Sequence, residues 1–415
     1  MHFQNKIDVT WCVILLGLFP ALHLPVLQAM LLIMIIALCL LFRQIDRSSF
    51  RELLTFPNIA IGQFLLFFLI NALVFDVVEG SKPHFRAIAI ESWSITFLCL
   101  VVLALWLRLQ KAEDLKRALM RWLPVGLTAS FLLGTAIYLL GIQGGRIVIF
   151  TPSSLAPPLW FLVFTMCSFA WFFEMSRWHK AWRLALLFMA GMMVIYGSAR
   201  LVMLAWMLSG SILAVWLYLE AELQHRKKVL LGIVLCIALG VGGVVLADLA
   251  SGGGLTFRMA KFLSVDFTYD SISAQFVRLK IWSGALAIIG DNVLLGIGQV
   301  NERFTLQQEL EWKKWQYAHQ SYLSYLIVGG IPALISGLVL QSPVLVFSSR
   351  AKQSTLLPAF VGLGVVVTMN CLTDSIFNSA VNVQVFMVAT LVFLRASDAD
   401  QPTLAPQKHV SSAII

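Results

Sequence analysis

Three ionisable side chains stand where short polar segments meet long apolar ones. His319 opens His319-Gln-Ser-Tyr-Leu-Ser-Tyr-Leu-Ile-Val-Gly-Gly330, Arg200 closes Tyr196-Gly-Ser-Ala-Arg200, and Arg278 begins Arg278-Leu-Lys-Ile-Trp282. An imidazole titrates near neutral pH and can exchange a proton with a substrate. A guanidinium stays charged and offers anions a rigid fork of donors. At the edge of a membrane bundle such residues are functional candidates by default. Each also has a plainer reading: Arg200 as an interfacial arginine with its stem along lipid, Arg278 paired with Asp266 or Asp270, and His319 bonded to backbone at a helix start. Periodicity does not decide among these.

The elements that must position them follow from composition. Of 415 residues, 59% are hydrophobic and 12% charged, and mean hydropathy is +0.86. A soluble domain carries about 25% charged residues, so this chain cannot cover a water-facing surface. Its apolar runs are about 16–22 residues long, the length of spanning helices rather than of barrel strands. The expected class is an all-α polytopic membrane protein. The net charge of +9 does not point to nucleic acid, because the cations gather in short loops on alternate sides. None of the six cysteines lies in the long hydrophilic loop, so no disulfide framework is expected. The seven histidines show no metal-ligand spacing.

Twelve candidate spans are read at 9–22, 25–42, 57–75, 88–107, 123–141, 156–173, 183–197, 201–219, 229–248, 319–340, 356–371 and 376–394. Pro20 and Pro25 break the first apolar stretch into a hairpin. Nineteen of the thirty Lys and Arg residues fall at one set of ends and loops, four in the short loops of the other set, and seven in the long loop. The positive-inside rule then puts both termini in the cytoplasm. The organisation read is nine spans over 1–249, an outer (periplasmic) loop over 250–318, three more spans over 319–394, and a cytoplasmic tail over 395–415. The tail is expected to be disordered. Its Asp398-Ala-Asp400 looks like the metal-binding pair of sugar-nucleotide transferases, and a chance match on a frayed end is the preferred reading.

The loop is expected to be a folded cap. A helix is read over 272–289, with Ile272, Phe276, Leu279 and Trp282 on one face. A turn through Gly296-Ile-Gly298 follows, then a second helix over 302–317 whose Trp312 and Trp315 beside Lys313 and Lys314 suit a membrane interface.

The segment from His319 to Gly330 resembles the histidine motif of the O-antigen ligase and polymerase superfamily. Ser198-Ala-Arg200 resembles that family's S-x-R turn, and Arg278-x-x-x-Trp282 with Gly296-x-Gly298 resembles its later elements. One departure stands out: the family often has an acid soon after the histidine, where this chain has Ile327-Val-Gly-Gly330. The resemblance implies transfer of a glycan from undecaprenyl diphosphate, in the inner membrane of a Gram-negative bacterium, with the active site facing the periplasm. It implies His319 as general base toward an acceptor hydroxyl, and Arg200 and Arg278 as the diphosphate clamp. The chemistry is self-consistent. The diphosphate leaves as a stable anion, so no general acid is needed, and two arginines can stand in for a metal. An imidazole of reference pKa about 6.5 suits a base at neutral pH. No cofactor or metal is expected.

Lys82 and Arg86, with His84 between them, are further candidates for phosphate or acceptor binding, against a reading as solvated loop charges. Asp374 is a candidate to orient His319 or an acceptor hydroxyl. Within the family, an O-antigen ligase acting on lipid A–core is expected over a polymerase, because one rather than two substantial outer loops is present. Protein glycosylation falls away because no further large outer domain follows the last span. A transporter of lipid-linked substrate is the reading from another class. It is disfavoured by the clustering of ionisable groups on one face.

Overall fold

The computed structural model describes residues 2–22, 54–75, 84–139, 156–196, 200–222, 226–227, 230–232, 234, 269–310, 318–350, 354–372 and 374–400. Among these all regular structure is helical. The long elements are α1 (His2–Leu22), α2 (Phe56–Val74), α3 (His84–Leu109), α4 (Ala112–Leu139), α5 (Ala156–Ser168), α6 (Arg177–Tyr196) and α7 (Arg200–Glu220). They are followed by α8 (Tyr269–Asn292), α9 (Glu302–Glu309), α10 (Ser321–Gln341), α11 (Pro343–Arg350), α12 (Leu357–Cys371) and α13 (Ala380–Ser397). Five helical stretches are long and apolar enough to cross a membrane: Phe56–Val74, Arg86–Leu109, Val202–Glu220, Ser321–Val346 and Ala380–Asp400. The chain is therefore a helical, polytopic membrane protein. The expected spans 25–42 and, but for a few residues, 229–248 lie outside the described residues.

One large apolar core joins α1 to α7 with α10, α12 and α13. Polar side chains tie the helices across it, as expected where lipid supplies no hydrogen bonds. Gln63 on α2 and Ser336 on α10 exchange two bonds of 3.0 and 3.1 Å. Gln384 on α13 donates to Thr96 on α3 at 2.7 Å, and Trp160 on α5 donates to Asn382 at 2.9 Å. Pro124 inside α4 cannot donate to Met120, and the fully buried Arg183 of α6 fills that carbonyl instead. Arg183 also bonds the Ser168 carbonyl at the end of α5, at 3.3 Å. A residue expected at the head of a span is thus an internal bracket.

One span reading ends early, and another is interrupted within its bounds. The run 156–173 is helical only to Ser168, where a turn and a short 3-10 segment at Phe172–Glu174 take over. The run 319–340 is broken at Gly329 (φ −146, ψ 21) and Gly330 (φ +62, ψ −152). With Pro332 following, the carbonyls of Ile327 and Val328 lose their partners within the helix.

A second, smaller apolar core packs α8 and α9 onto α10. Ile281, Ala285, Ile288 and Ile289 of α8 meet Leu306 of α9, Leu310 in the turn after it, and Ala318 and Ile327 beside them. The segment expected to be a cap is thus a folded unit over these residues. Its first helix, read over 272–289, spans Tyr269–Asn292. Its second, read over 302–317, is described as Glu302–Glu309 with a turn at Leu310, and 311–317, Trp312 and Trp315 among them, lie outside the described residues. The tail also differs from expectation. α13 continues to Ser397, and Asp398–Asp400 form a 3-10 turn held by side chains.

Candidate active site

The break in α10 is where the site's framework begins. The turn after α8 inserts its backbone there: Ile297 N–H donates to the Ile327 carbonyl at 2.8 Å and Gly298 N–H to the Val328 carbonyl at 2.9 Å. In return Ile331 N–H donates to the Val293 carbonyl at 3.0 Å. The orphaned groups of the broken helix are satisfied by a turn that supplies the matching donors and acceptor. Glycine is required on both sides. Gly296 has φ +67, and a Cβ on it would sit 2.5 Å from the Gly329 nitrogen. A Cβ on Gly330 would sit 2.4 Å from the carbonyl carbon of Leu294. Asn71 at the end of α2 completes the joint. It donates to the Val328 carbonyl at 3.0 Å and accepts from Gln299 N–H at 2.9 Å. Trp93 on α3 donates to the Gln299 side chain at 2.6 Å.

This joint sets where α9 starts. Asn301 holds the turn through its own side chain, donating to the Ile297 carbonyl at 2.7 Å, and Glu302 follows as the first residue of α9. Glu302 is 1% exposed. Ser324 of α10 donates to its carboxylate at 2.6 Å, and the Ala318 N–H donates to it as well. Burial pushes the Glu302 carboxyl up to about 7, against the lowering pull of those two bonds. Ser324 in turn lies 2.9 Å from the Ser375 hydroxyl.

His319 sits between these groups. Its φ of +52 is a left-handed conformation uncommon outside glycine. Bonds on either side hold it there. The Ala318 carbonyl accepts from Trp282 of α8 at 3.1 Å, and Gln320 caps α10 by accepting from Leu323 N–H at 2.8 Å. His319 Nδ1 lies 3.6 Å from Asp374 Oδ1, with the two side chains 32% and 25% exposed. That is an ion-pair distance, longer than a direct hydrogen bond. Asp374 is fixed by its own segment. Its backbone N–H donates to Asn370, its carboxylate accepts from Ser375 N–H at 2.8 Å, and its carbonyl accepts from Ser321 at 2.8 Å. The Ser321 hydroxyl also accepts from Ile376 N–H at 3.1 Å. The start of α10 and the turn before α13 are therefore laced together around the His319–Asp374 pair.

Such an arrangement can take a proton from a hydroxyl and stabilise the resulting imidazolium with a carboxylate. Its remaining sequence candidates are placed less fully. Arg200 is the first residue of α7 and Arg278 lies within α8, and their side chains lie outside the described part of the structure. Lys82 lies outside the described residues. Arg86 donates to the Ala72 carbonyl at 3.1 Å and also to the Leu73 carbonyl. In this conformation it caps α2, a role the solvated-loop reading lacked. Asp400 of the Asp398-x-Asp400 pair bonds Lys116 at 2.5 Å and Trp171 at 2.6 Å, and Asp398 pairs with Arg395 at 3.1 Å. Among the described residues no three His, Cys, Asp or Glu side chains are grouped as a metal site requires.

Sequence reasoning missed Glu302 and Asn71. Glu302 reads as a solvated acid favouring a helix start, and Asn71 as one polar residue in an apolar span. Their partners lie on α10 and on the segments beside it, far along the chain from Asn71 and, for Glu302, across a turn of the fold.

Residues 184–338 match the family model described as O-antigen ligase. The match contains Arg200, Arg278, the Gly296–Gly298 turn, Glu302 and His319, and it stops short of Asp374. No curated protein matches the chain.

Proposed function

We propose that this chain, whose residues 184–338 match the family model described as O-antigen ligase, is such a ligase, moving a glycan from undecaprenyl diphosphate to a sugar hydroxyl of lipid A–core. The observation that carries the reading is the His319–Asp374 pair, 3.6 Å apart at the junction of two apolar helices with a folded cap. In the proposed step the acceptor hydroxyl oxygen attacks the anomeric carbon of the donor's first sugar. The bond from that carbon to the diphosphate oxygen breaks, and its electron pair leaves with the lipid diphosphate. Configuration inverts. His319 takes the hydroxyl proton, and Asp374 stabilises the imidazolium so formed. Arg200 and Arg278 clamp the diphosphate, where negative charge develops. Lys82 and Arg86 are weaker candidates for acceptor phosphates, and Arg86 would have to leave its cap on α2 to serve. The charge pattern of the loops supports a site on the non-cytoplasmic face, and the resemblance to O-antigen ligases supports reading that face as the periplasmic side of a Gram-negative inner membrane.

Complementation tests the reading. In a strain lacking its own ligase, the wild-type gene should place long glycan on lipid A–core, and His319→Ala should not. Longer glycan retained on the lipid carrier would instead identify a polymerase. No change in either lipid would remove the transferase reading and favour transport.

A further inference from the structure

Three segments meet at one buried carboxylate. Glu302, on α9, accepts from the N–H of Ala318, the residue before His319. It also accepts from Ser324, one turn into the helix that His319 precedes. Ser324 continues to Ser375, the residue after Asp374. Ala318 is itself 0% exposed, with its carbonyl engaged by Trp282. Ala318, the residue leading into His319, is therefore held at both its backbone N–H and its carbonyl, by helices of the cap. A left-handed histidine persists only where its surroundings over-determine it, and Glu302 is the group that reaches both sides of the pair.

We infer that Glu302 is a positioning residue for His319, a clamp that sets the base and its partner Asp374 in register by binding Ala318 and Ser324 and, through Ser324, Ser375. The inference rests on the reading of His319 as the base. Glu302 contacts the cap-side peptide and the hydroxyl relay rather than the reacting atoms. Its function is geometric, and it makes the site depend on the cap being docked. If α9 lifts from α10, both bonds are lost together and the base loses its fixed position. The acid comes from the cap, since Ile327-Val-Gly-Gly330 offers none on α10 itself.

The test uses the full chain in lipid nanodiscs and two readouts. The first is amide hydrogen exchange over 318–324 and 374–379 without any glycan. The second is steady-state transfer from a synthetic undecaprenyl-diphosphate oligosaccharide. Glu302→Leu has comparable bulk and no acceptor. It should speed exchange in both segments and lower kcat on the order of 100-fold, as expected for a misplaced catalytic group. The donor KM should stay within about threefold, because substrate binding is not what the clamp provides. Glu302→Gln keeps an acceptor oxygen and should restore most of kcat and of the protection. Ser324→Ala cuts only the relay and should loosen 374–379 while 318–320 stays protected.

Glu302→Leu with kcat near wild type, a loss confined to KM, or Glu302→Gln as damaged as Glu302→Leu would each overturn the clamp. If Glu302→Leu does not fold, Ser324→Ala decides, and unchanged exchange and kcat in that variant reject the clamp. Because exchange is read without substrate, an inactive wild type would remove the transferase reading while the clamp is still judged on its own.

Discussion

Two polar corners lie at the two ends of α13, and they handle their carboxylates in opposite ways. At the corner after its C-terminus, Lys116 of α4 meets Asp400 at 2.5 Å and Glu174 at 2.9 Å, lies over the Trp171 ring, and Trp171 donates to Asp400. Burial works against that ammonium, yet the two carboxylates win and its pKa is raised. At the corner before the N-terminus, Glu302 is satisfied by a hydroxyl and a backbone N–H, and Asp374 faces His319 across 3.6 Å. The first corner matches cation to anion and keeps fixed charges. The second holds a carboxyl without a cation, Glu302, which burial pushes up to about 7, beside an imidazole and a carboxylate that do not reach direct hydrogen-bond distance. Closely matched charge makes a staple, whereas loosely matched, titratable charge leaves room for a proton to move.

The comparison is tested first where the effect should be largest. His319→Ala should lower transfer by about 100- to 10,000-fold, the usual span for a lost general base. It should leave the size-exclusion profile and thermal midpoint unchanged, and activity near wild type would end the base assignment. Arg200→Lys and Arg278→Lys should each lose on the order of 100-fold, because a point charge does not reproduce a bidentate fork. Tolerance of Arg200→Lys in the same assay would return that residue to the interfacial reading. Asp374→Asn should cost roughly ten- to 100-fold in kcat with little change in donor KM, since it removes the carboxylate that favours the imidazolium.

Glu302 gives a smaller effect with a definite sign. Its folded pKa of about 7 lies above its ordinary value of 4.5, so the folded state holds the proton more tightly than the unfolded chain does. Stability from this group is full below pH about 4.5 and is lost as pH rises through about 7. Glu302→Gln does not titrate. It should therefore gain on wild type across that window, by a few kcal/mol at about 1.4 kcal/mol per pKa unit. Thermal unfolding at pH 5 and pH 8 reads the difference, and a gap that does not widen contradicts the shift. Smallest in activity should be Lys116→Met at the other corner. Leaving two carboxylates without their cation should cost about 1–3 kcal/mol of stability, while transfer per folded molecule stays at the wild-type level. A kcat loss there would erase the distinction between the corners.

Much of this was legible in the chain. Low charge and long apolar runs implied helices in lipid. The spacing of residues 272–289 revealed a helix that the structure extends by only a few residues at each end. His319 and Asp374 were marked by residue type at the ends of apolar runs, and the motif around His319 fell inside the family match. The reading erred where a local property was overruled by a distant partner. Asp398-Ala-Asp400 looked frayed, because nothing nearby showed that Lys116 and Trp171 would hold it. The run from 319 to 340 was read as a span, and Ser321–Val346 is long and apolar enough for one, but its break at Gly329 and Gly330 is invisible without the turn that satisfies its carbonyls.

Composition and periodicity by themselves determined the solvent, the class of secondary structure and the residue types available for chemistry. These depend on transfer free energies and on the 3.6-residue helical period, both of which are local along the chain. Tertiary structure alone decided that Glu302 is buried, that Arg86 caps α2, and that His319 meets Asp374 across 55 residues of chain. Those outcomes hang on which backbone groups are orphaned at Gly329 and Gly330 and on which segment arrives to pair with them. That pairing is a non-local constraint, and no window of sequence contains it.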